Sequence, residues 1–219
     1  EVSCQTLRSQ TSSVVRHLGS RIATAELRQC GAWGVFAKDF EEVCLRPSAD
    51  LAMCVVGHVG SGRTTVLESI MRAWQTQHAD GRVLSVSDFS EMTVEQVCAM
   101  SVSVLLVVDD IESLSSLSDE WMQQFLLRLR PSKNISLLIA VPPVFLRSRG
   151  EHWVQQVRRS RTGFLLGECA EHDADLFGVY STSPSIYQQG IGRGLLVQDG
   201  VSQGIVQAAS SVMLPLSIV

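Results

Sequence analysis

The sequence predicts an α/β domain with a mainly parallel sheet flanked by helices, and two stretches carry this prediction. Residues 51–56 form an apolar run typical of a buried parallel strand, followed by a glycine-rich turn and by a helical pattern from Thr64. Residues 103–110 form a second aliphatic strand, which ends in the adjacent carboxylates Asp109 and Asp110. A strand, a glycine-rich loop and a helix in this order are the setting of a phosphate-binding loop.

Length and composition predict a globular domain and argue against several classes of protein. The chain has 219 residues, of which 45% are hydrophobic and 18% charged, enough for one sizeable core. Its net charge of −4 argues against a nucleic-acid channel, which would need a basic stripe. The six cysteines contain no CxxC pair, which favours reduced, buried thiols over a zinc site. No apolar run approaches the roughly 20 residues of a membrane helix, and the polar, abrupt start predicts a fragment of a longer protein.

The N-terminal part of the chain is predicted to be a linker followed by a small flap. Apolar residues recur at helical spacing between residues 1 and 27, which predicts one amphipathic helix. We therefore divide the chain into a linker at residues 1–30 and a domain at residues 31–219. Two short strands at residues 33–36 and 42–45 are predicted to form an antiparallel flap against the main sheet.

The middle of the chain alternates helices and strands, as expected of a parallel sheet. The helix from Thr64 carries one apolar stripe, made of Val66, Leu67, Ile70, Met71 and Trp74. A strand at residues 82–86 and a short helix at residues 92–100 follow, with Ser90 or Thr93 as the helix cap.

A further helix at residues 119–130 is predicted from Ser118 as its N-cap and from one buried stripe, made of Trp121, Phe125, Leu126 and Leu129. Aliphatic runs predict strands at residues 135–141 and 163–166, and the acidic stretch 168–180 is predicted to be a loop.

The last predicted element is a β-hairpin at the edge of the sheet. A strand at residues 192–197 begins with Gly192-Arg193-Gly194, Asp199-Gly200 forms the turn, and residues 202–209 pair back.

The glycine-rich turn has the frame of a phosphate-binding loop, Gly57-x-x-x-x-Gly62-Arg63-Thr64, with Arg in place of the usual Lys. The glycines let backbone N–H groups surround an anion at the positive end of the next helix, and Thr64 offers its hydroxyl to Mg²⁺. Arg63 keeps the positive charge but is planar and bulkier than Lys, so we expect anion binding with slow hydrolysis. A structural turn that binds nothing is the alternative. The predicted nucleotide-binding residues are Gly57, His58, Val59, Gly60, Ser61, Gly62, Arg63, Thr64 and Thr65.

The two carboxylates after the second strand complete the predicted site. At the carboxyl end of a parallel strand they face the crevice in which ligands bind in open α/β sheets. Asp109 is predicted to support Mg²⁺ together with Thr64, and Asp110, the catalytic candidate, to orient or deprotonate a water molecule. The alternative for the pair is an acidic N-cap of the next helix.

A cluster of arginines follows the strand at residues 135–141, made of Arg147, Arg149, Arg158, Arg159 and Arg161. One of them is a candidate arginine finger for the nucleotide of a neighbouring subunit. A solvated basic surface is the alternative.

Three stretches resemble the FtsK/SpoIIIE branch of P-loop ATPases, and in particular its EccC-type members, the multi-ATPase motors of type VII secretion. They are FAKDFEEVCLRPSADLAMCVVGHVGSGRTT at residues 36–65, the strand that ends in Asp109 and Asp110, and GECAEHDADLFGVYSTSPSIYQQGIGRGLLVQDG at residues 167–200. In the third stretch an aspartate-rich loop precedes a Gly-Arg-Gly strand, which resembles the end of an EccC module. The resemblance implies a RecA-like P-loop NTPase domain with a terminal β-hairpin.

The resemblance also implies a function, that of a C-terminal ATPase module that binds ATP with Mg²⁺. Arg63 and Asp110 depart from the Lys and the Glu of an active motor of this branch, which implies weak or absent hydrolysis by the isolated domain. The implied partners are an EsxB-like secreted substrate, whose C-terminal signal enters an apolar pocket, the sister ATPase modules and other components of the secretion machine. The full protein is implied to form a hexamer and to be anchored in the bacterial cell membrane by N-terminal helices outside this sequence, with this domain in the cytoplasm.

Two other functions remain open at this point. The departures at Arg63 and Asp110 also suit a substrate-recognition module that no longer binds nucleotide. A DNA-translocase motor domain of the same branch is the third reading, and the net charge of −4 counts against it.

Overall fold

The computed structural model describes residues 22–45, 52–85, 88, 91–109, 111–128, 134–147, 153–180 and 190–210. Within these residues the strands are β1 Ile22–Ala23, β2 Ala32–Phe36, β3 Glu42–Cys44, β4 Ala52–Val56, β5 Arg82–Leu84, β6 Val104–Val108, β7 Ile135–Val141, β8 Gly163–Leu166, β9 Arg193–Gln198 and β10 Val201–Ser210. The α-helices are α1 Arg63–Gln77, α2 Val94–Cys98, α3 Ser116–Arg128, α4 Pro143–Arg147, α5 Val154–Arg158 and α6 Cys169–His172. Short 3₁₀ helices occupy Thr24–Glu26, Ile111–Ser113 and Ala174–Phe177.

The described strands form one sheet in the order β3-β2-β10-β9-β8-β4-β7-β6-β5, and β1 pairs with β10. The five strands from β8 to β5 are parallel, whereas β9, β10, β2 and β3 pair antiparallel. Since β7 lies between β4 and β6, the strand before the glycine-rich loop and the strand before the carboxylates are separated by one strand and end at the same edge of the sheet. The predicted α/β fold with a mainly parallel sheet flanked by helices is confirmed.

The core lies on both faces of the sheet, which explains why the central strands are apolar throughout. Along β4, Cys54 and Val56 belong to the cluster beside α2, α3 and α5, whereas Met53 and Val55 pack with α1. Successive side chains of a strand point to opposite faces, so a strand covered on both faces has no polar alternation. This burial fixes β4 and the loop that follows it in the middle of the molecule.

The closing hairpin, predicted at the sheet edge, is an interior part of the sheet. β9 lies between β8 and β10, and β10 lies between β9 and β2. The reason is that the N-terminal flap of β2 and β3 adds to β10, where Phe36 pairs with Val206. Among the described strands, β3 and β5 are the ends of the sheet.

Three shorter predictions are also corrected. Residues 22–26, expected in an amphipathic helix, form β1, whose Ile22 pairs with Ala209, and a 3₁₀ helix; the rest of that predicted helix lies outside the described residues. α3 begins before Ser118, because the Ser115 hydroxyl accepts the Ser118 N–H at 3.2 Å and so serves as the cap. The predicted loop 168–180 contains α6 and a 3₁₀ helix.

Several local predictions are confirmed. β7 and β8 have the predicted bounds. Thr93 caps α2 through a capping box, in which its hydroxyl accepts the Gln96 N–H at 3.3 Å and the Gln96 side chain accepts the Thr93 N–H at 2.8 Å. Among the described helices none is long and apolar enough to cross a bilayer.

Candidate functional site

The glycine-rich loop, residues 57–62, connects β4 to α1 and is held by its own backbone. The Gly57 N–H donates to the Val141 carbonyl at 3.3 Å, and the Ser61 N–H donates to the His58 carbonyl at 3.1 Å. Gly60 and Gly62 have φ angles of +81° and +96°, a left-handed conformation in which a side chain would be strained. The loop therefore has the curled backbone that a phosphate-binding loop requires.

The room for a side chain beside Gly57 differs from that beside Gly60. A Cβ atom on Gly57 would collide with the Ser61 hydroxyl, whereas a Cβ atom on Gly60 would meet nothing within 4 Å. The loop is thus closed toward the sheet and open at Gly60. His58 and Val59 beside that opening are exposed, Val59 to 88%.

The Ser61 hydroxyl is the clearest sign of a ligand. Its oxygen is buried and has no hydrogen-bond partner among the described residues. A buried polar group without a partner costs about 1–3 kcal/mol. A phosphate oxygen in the loop would accept a hydrogen bond from this hydroxyl, so the residues present fit a phosphate group.

Helix α1 presents its positive end to the same loop. Gly62 is its N-cap, and the Val66 N–H donates to the Gly62 carbonyl at 3.0 Å. The N–H groups before Val66 have no acceptor within the helix, and its first turn contains no acidic residue. The end of this 15-residue helix is therefore suited to an anion.

Arg63, at the position of the usual Lys, is directed at a carboxylate. Its side chain is 9% exposed, and both terminal nitrogens lie 3.2 and 3.3 Å from one oxygen of Glu112. Glu112 lies in the 3₁₀ helix directly after β6, and the sequence analysis did not select it. The available signal was a third carboxylate three residues after Asp109. The ion pair joins the start of α1, directly after the glycine-rich loop, to the segment that follows β6.

Thr64 and Asp109 line the same cavity beside the loop. Both line a cavity of about 330 Å³ between α1 and the ends of β5 and β6, together with Leu67, Glu68, Met71, Ser85 and Val107. A hydroxyl and a carboxylate are oxygen ligands that suit Mg²⁺. No cluster of three or more His, Cys, Asp or Glu side chains suited to a metal occurs in the described part of the chain. A Mg²⁺ ion bound here would therefore need phosphate oxygens and water as further ligands.

The remaining predicted site residues are placed as follows. Thr65 is half-buried in the first turn of α1. Asp110 lies outside the described residues, so its catalytic role stays a prediction.

The start of the Gly-Arg-Gly strand contacts the glycine-rich loop. This contact was not predicted from the sequence. The Gly192 N–H donates to the Ser61 carbonyl at 3.3 Å. A Cβ atom on Gly62 would lie 2.7 Å from the Ile191 side chain. Two backbones can approach closely only when no side chain lies between them. The glycines on the two sides of this contact, Gly62 and Gly192, were therefore the feature of the sequence from which it could have been predicted.

The arginine cluster is in part structural. Arg147 donates to Asp173 at 2.8 Å, to Asp175 at 2.9 Å and to the His172 carbonyl at 2.7 Å. These hydrogen bonds, first that with Asp173 and then that with Asp175, raise the pKa of Arg147. They join α4 to α6 and the 3₁₀ helix after it, so Arg147 is engaged within its own chain.

The other arginines of the cluster differ in their surroundings. Arg158 donates to the Leu146 carbonyl at 3.2 Å, and Arg159 and Arg161 are exposed. Arg149 lies outside the described residues, and an arginine finger stays a prediction.

The comparisons with known proteins agree with this geometry at the level of the fold. No family model and no curated protein sequence matches the chain. The ATPase 2 and 3 unit of EccC from Thermomonospora curvata, solved in complex with a signal sequence peptide, matches with a TM-score of 0.64 and 18% identity over 91% of this chain and 45% of its own. The corresponding unit of EssC from Geobacillus thermodenitrificans matches with a TM-score of 0.61 and 14% identity over 89% of this chain and 45% of its own.

A third match comes from a different kind of protein. The conjugation coupling protein TcpA of pCW3, solved with ATPγS, has a TM-score of 0.55 and 12% identity over 89% of this chain and 71% of its own. The chain spans less than half of the EccC and EssC structures that it matches. The resemblance read from the sequence is thus confirmed for the fold, and this chain has the P-loop ATPase fold of the EccC and EssC ATPase domains.

Proposed function

We propose that this domain is a nucleotide-binding module of a type VII secretion motor, and that it binds ATP with Mg²⁺ at residues 57–65. The observation that carries the proposal is the curled loop at the positive end of α1, with the buried Ser61 hydroxyl lacking a partner among the described residues. The fold shared with EccC and EssC ATPase domains supports it.

Each residue of the site then has a defined task. The backbone N–H groups at the start of α1 and the Ser61 hydroxyl bind the phosphates, and Thr64 and Asp109 hold the side of the site where Mg²⁺ would neutralise phosphate charge. Asp110 is the proposed catalytic group that orients water. Because Arg63 is paired with Glu112, the charge that Lys would direct at the phosphates is partly neutralised. We therefore expect weak binding and slow or absent hydrolysis.

Calorimetric titration with ATP and Mg²⁺ tests the binding, and a steady-state phosphate-release assay tests the turnover. We expect a dissociation constant in the high micromolar range or weaker and a turnover far below the roughly 10 per second of an ordinary enzyme. No heat and no thermal shift at millimolar ATP would favour a recognition module that no longer binds nucleotide. Fast turnover that Asp110→Ala abolishes would show that the module is an active ATPase.

We further propose that the module takes up a C-terminal segment of an EsxB-like helical substrate and works beside sister ATPase modules and other secretion components in a hexamer. The signal sequence peptide bound to the matching EccC unit supports the first part. The matching EccC region is the cytoplasmic part of its protein, which supports a place for this domain on the cytoplasmic side of the bacterial membrane, anchored through helices elsewhere in the full protein.

DNA translocation is the second candidate, favoured by the match with the coupling protein TcpA and opposed by the net charge of −4. Fluorescence anisotropy with a labelled substrate-tail peptide and with duplex DNA, each at low and high salt, separates the two. Apolar peptide binding changes little with salt, whereas binding to DNA weakens steeply as salt rises. DNA binding with a steep salt dependence and no peptide binding would contradict the secretion function.

A further inference from the structure

Gln207 is a buried polar side chain of β10 that faces the start of β9. It is 1% exposed, and its amide nitrogen donates to the Ile191 carbonyl at 3.0 Å and to the Ala208 carbonyl at 3.3 Å. Its amide oxygen accepts the Arg193 Nε–H at 3.2 Å. A buried amide with its donors and acceptor satisfied fixes the groups around it, because breaking any of these bonds leaves a buried polar atom unpaired.

Two of the three partners of Gln207, Ile191 and Arg193, belong to residues 190–193, here termed the approach segment. β10 holds one side of this segment, through Gln207 and through the Ala208 N–H, which donates to the Gly192 carbonyl at 2.9 Å. Its other side is in contact with the phosphate loop, through the 3.3 Å hydrogen bond from the Gly192 N–H to the Ser61 carbonyl and through Ile191 beside Gly62. A continuous set of hydrogen bonds thus runs from Gln207 to the residue whose hydroxyl lacks a partner.

We propose that Gln207 is a positioning residue of the nucleotide site, which acts through the approach segment to keep Ser61 and Gly62 in the conformation that binds phosphate. The proposal rests on the proposed function in so far as the ligand is ATP. The bond from the Gly57 N–H to the Val141 carbonyl holds the loop from the parallel part of the sheet, and the bond from the Ser61 N–H to the His58 carbonyl lies within the loop. The Gly192 N–H holds the loop from the antiparallel part, and Gln207 binds Ile191 and Arg193 on either side of Gly192.

The proposal predicts a coupling in both directions. If the approach segment and the phosphate loop share one conformation, ATP that orders the loop must also order residues 190–193, by the reciprocity of linked equilibria. Amide hydrogen exchange in residues 190–193 should therefore slow when ATP binds, although the proposed phosphate contacts lie in residues 57–65.

Gln207→Met tests the proposal, since Met has a similar size and removes all three hydrogen bonds. We expect amide exchange in residues 57–65 to become about tenfold faster without nucleotide, and the dissociation constant for ATP to rise about tenfold, while exchange in β6 and β7 stays unchanged. Gln203→Met is the matched control, because Gln203 lies on the same strand and donates only locally, to the Val201 carbonyl at 3.2 Å among the contacts described.

Gln207→Glu provides a second variant that is closer to the native side chain. Its carboxylate still accepts from the Arg193 Nε–H but repels the Ile191 carbonyl, whereas its protonated form regains a donor for that carbonyl. Relative to the native protein, ATP binding by this variant should be weak at pH 8 and should recover toward pH 5. Urea unfolding of this variant at the same pH values completes the test, because a purely structural role would make the free energy of unfolding change together with the affinity, whereas a positioning role changes the affinity alone.

The outcomes separate the two levels of the proposal. Faster exchange confined to residues 190–210, with the loop and the ATP affinity unchanged, would overturn the positioning role. If the native protein binds no ATP, the proposed function fails, and exchange in residues 57–65 of the nucleotide-free variants still decides whether Gln207 holds the loop. If Gln207→Met does not fold, the Gln207→Glu measurements decide in the same way.

Discussion

At the residue scale, the ion pair between Arg63 and Glu112 is the feature that we expect to limit how strongly the start of α1 attracts an anion. Arg63 is 9% exposed and the Glu112 side chain 34%, so solvent screens the pair only in part. A bound phosphate must compete with this carboxylate for the guanidinium. Arg63 carries the same charge as the usual Lys. The difference that matters is that its longer, planar side chain reaches Glu112.

The first prediction is that Glu112→Gln strengthens ATP binding. The amide keeps an acceptor for Arg63 but removes the competing charge, and an ion pair of this kind contributes about 1 kcal/mol, or roughly a fivefold change in affinity. Calorimetric titration measures it, with Glu120→Gln on α3 as an exposed control. A loss of affinity would mean that Glu112 supports the nucleotide instead of competing with it.

The second prediction separates two serine hydroxyls that lie close in sequence. Ser61→Ala should leave the free energy of unfolding unchanged or slightly higher, because this buried hydroxyl has no described partner, and should weaken ATP binding several-fold. Ser69→Ala removes the 2.8 Å hydrogen bond to the Trp33 carbonyl and should lower the free energy of unfolding by about 1–2 kcal/mol with ATP affinity unaltered. Urea unfolding and calorimetry measure both variants. If Ser61→Ala lowered the free energy of unfolding without weakening ATP binding, Ser61 would not belong to the site.

The third prediction concerns Cys54 and pH. Complete burial in β4 raises the pKa of its thiol from 9.0 to about 12. The folded state therefore keeps a proton that the unfolded chain loses above pH 9, so the stability is fully present below pH 9 and is lost as pH rises toward 12. Burial likewise raises the pKa of Cys169 to about 12.

Urea unfolding at pH 8, 9 and 10 measures this loss. Cys54→Ala should lose less stability between pH 8 and pH 10 than the native protein does, and the exposed Cys30→Ala should behave like the native protein. Equal pH dependence in all three would contradict the assignment to Cys54.

At the scale of elements, α4 and α6 are held together by Arg147 and its two aspartates. Asp173 is 8% exposed at its side chain and Asp175 45%. The buried carboxylate lies where water competes least, so it should carry most of the stabilisation.

The fourth prediction follows from this difference. Asp173→Asn should lower the free energy of unfolding by about 1–2 kcal/mol, because it leaves Arg147 with a weaker, neutral partner. Asp175→Asn should cost less than about 0.5 kcal/mol, as expected of an exposed pair. Chemical unfolding, with amide exchange in residues 143–147 and 169–177, measures both. If the two variants lowered the free energy of unfolding equally, burial would not determine how much each aspartate contributes.

Sequence reasoning located the elements whose signal is local. β4, β7 and β8 are buried on both faces, so an apolar run was enough to predict them. Of the two candidate caps of α2, Ser90 and Thr93, the structure shows Thr93 in a capping box. The glycine-rich loop and the start of α1 were predicted because the glycine positions and the helix start follow each other directly. What depends on distant partners was not found: Glu112 beside Arg63, Gln207 behind the approach segment and the place of the hairpin in the sheet each depend on residues far apart in the chain.

At the scale of the whole molecule, the sheet has two parts with different tasks. The parallel strands from β8 to β5 carry the glycine-rich loop and Asp109 at one edge. The antiparallel strands β9, β10, β2 and β3 support the loop from the side, through the approach segment. Under the proposed function, an alteration in the antiparallel part would therefore change nucleotide binding without replacing any of residues 57–65.

The pairing of β2 with β10 also has a consequence for synthesis on the ribosome. Phe36 pairs with Val206 and Ile22 with Ala209, so β1 and β2 are synthesised long before β10, and this sheet cannot close until β10 has been made. Until then the hairpin of β2 and β3 has an open strand edge, which other chains can pair with. Such long-range closure is slow, so we expect the nascent domain to be prone to aggregation until β10 has left the ribosome.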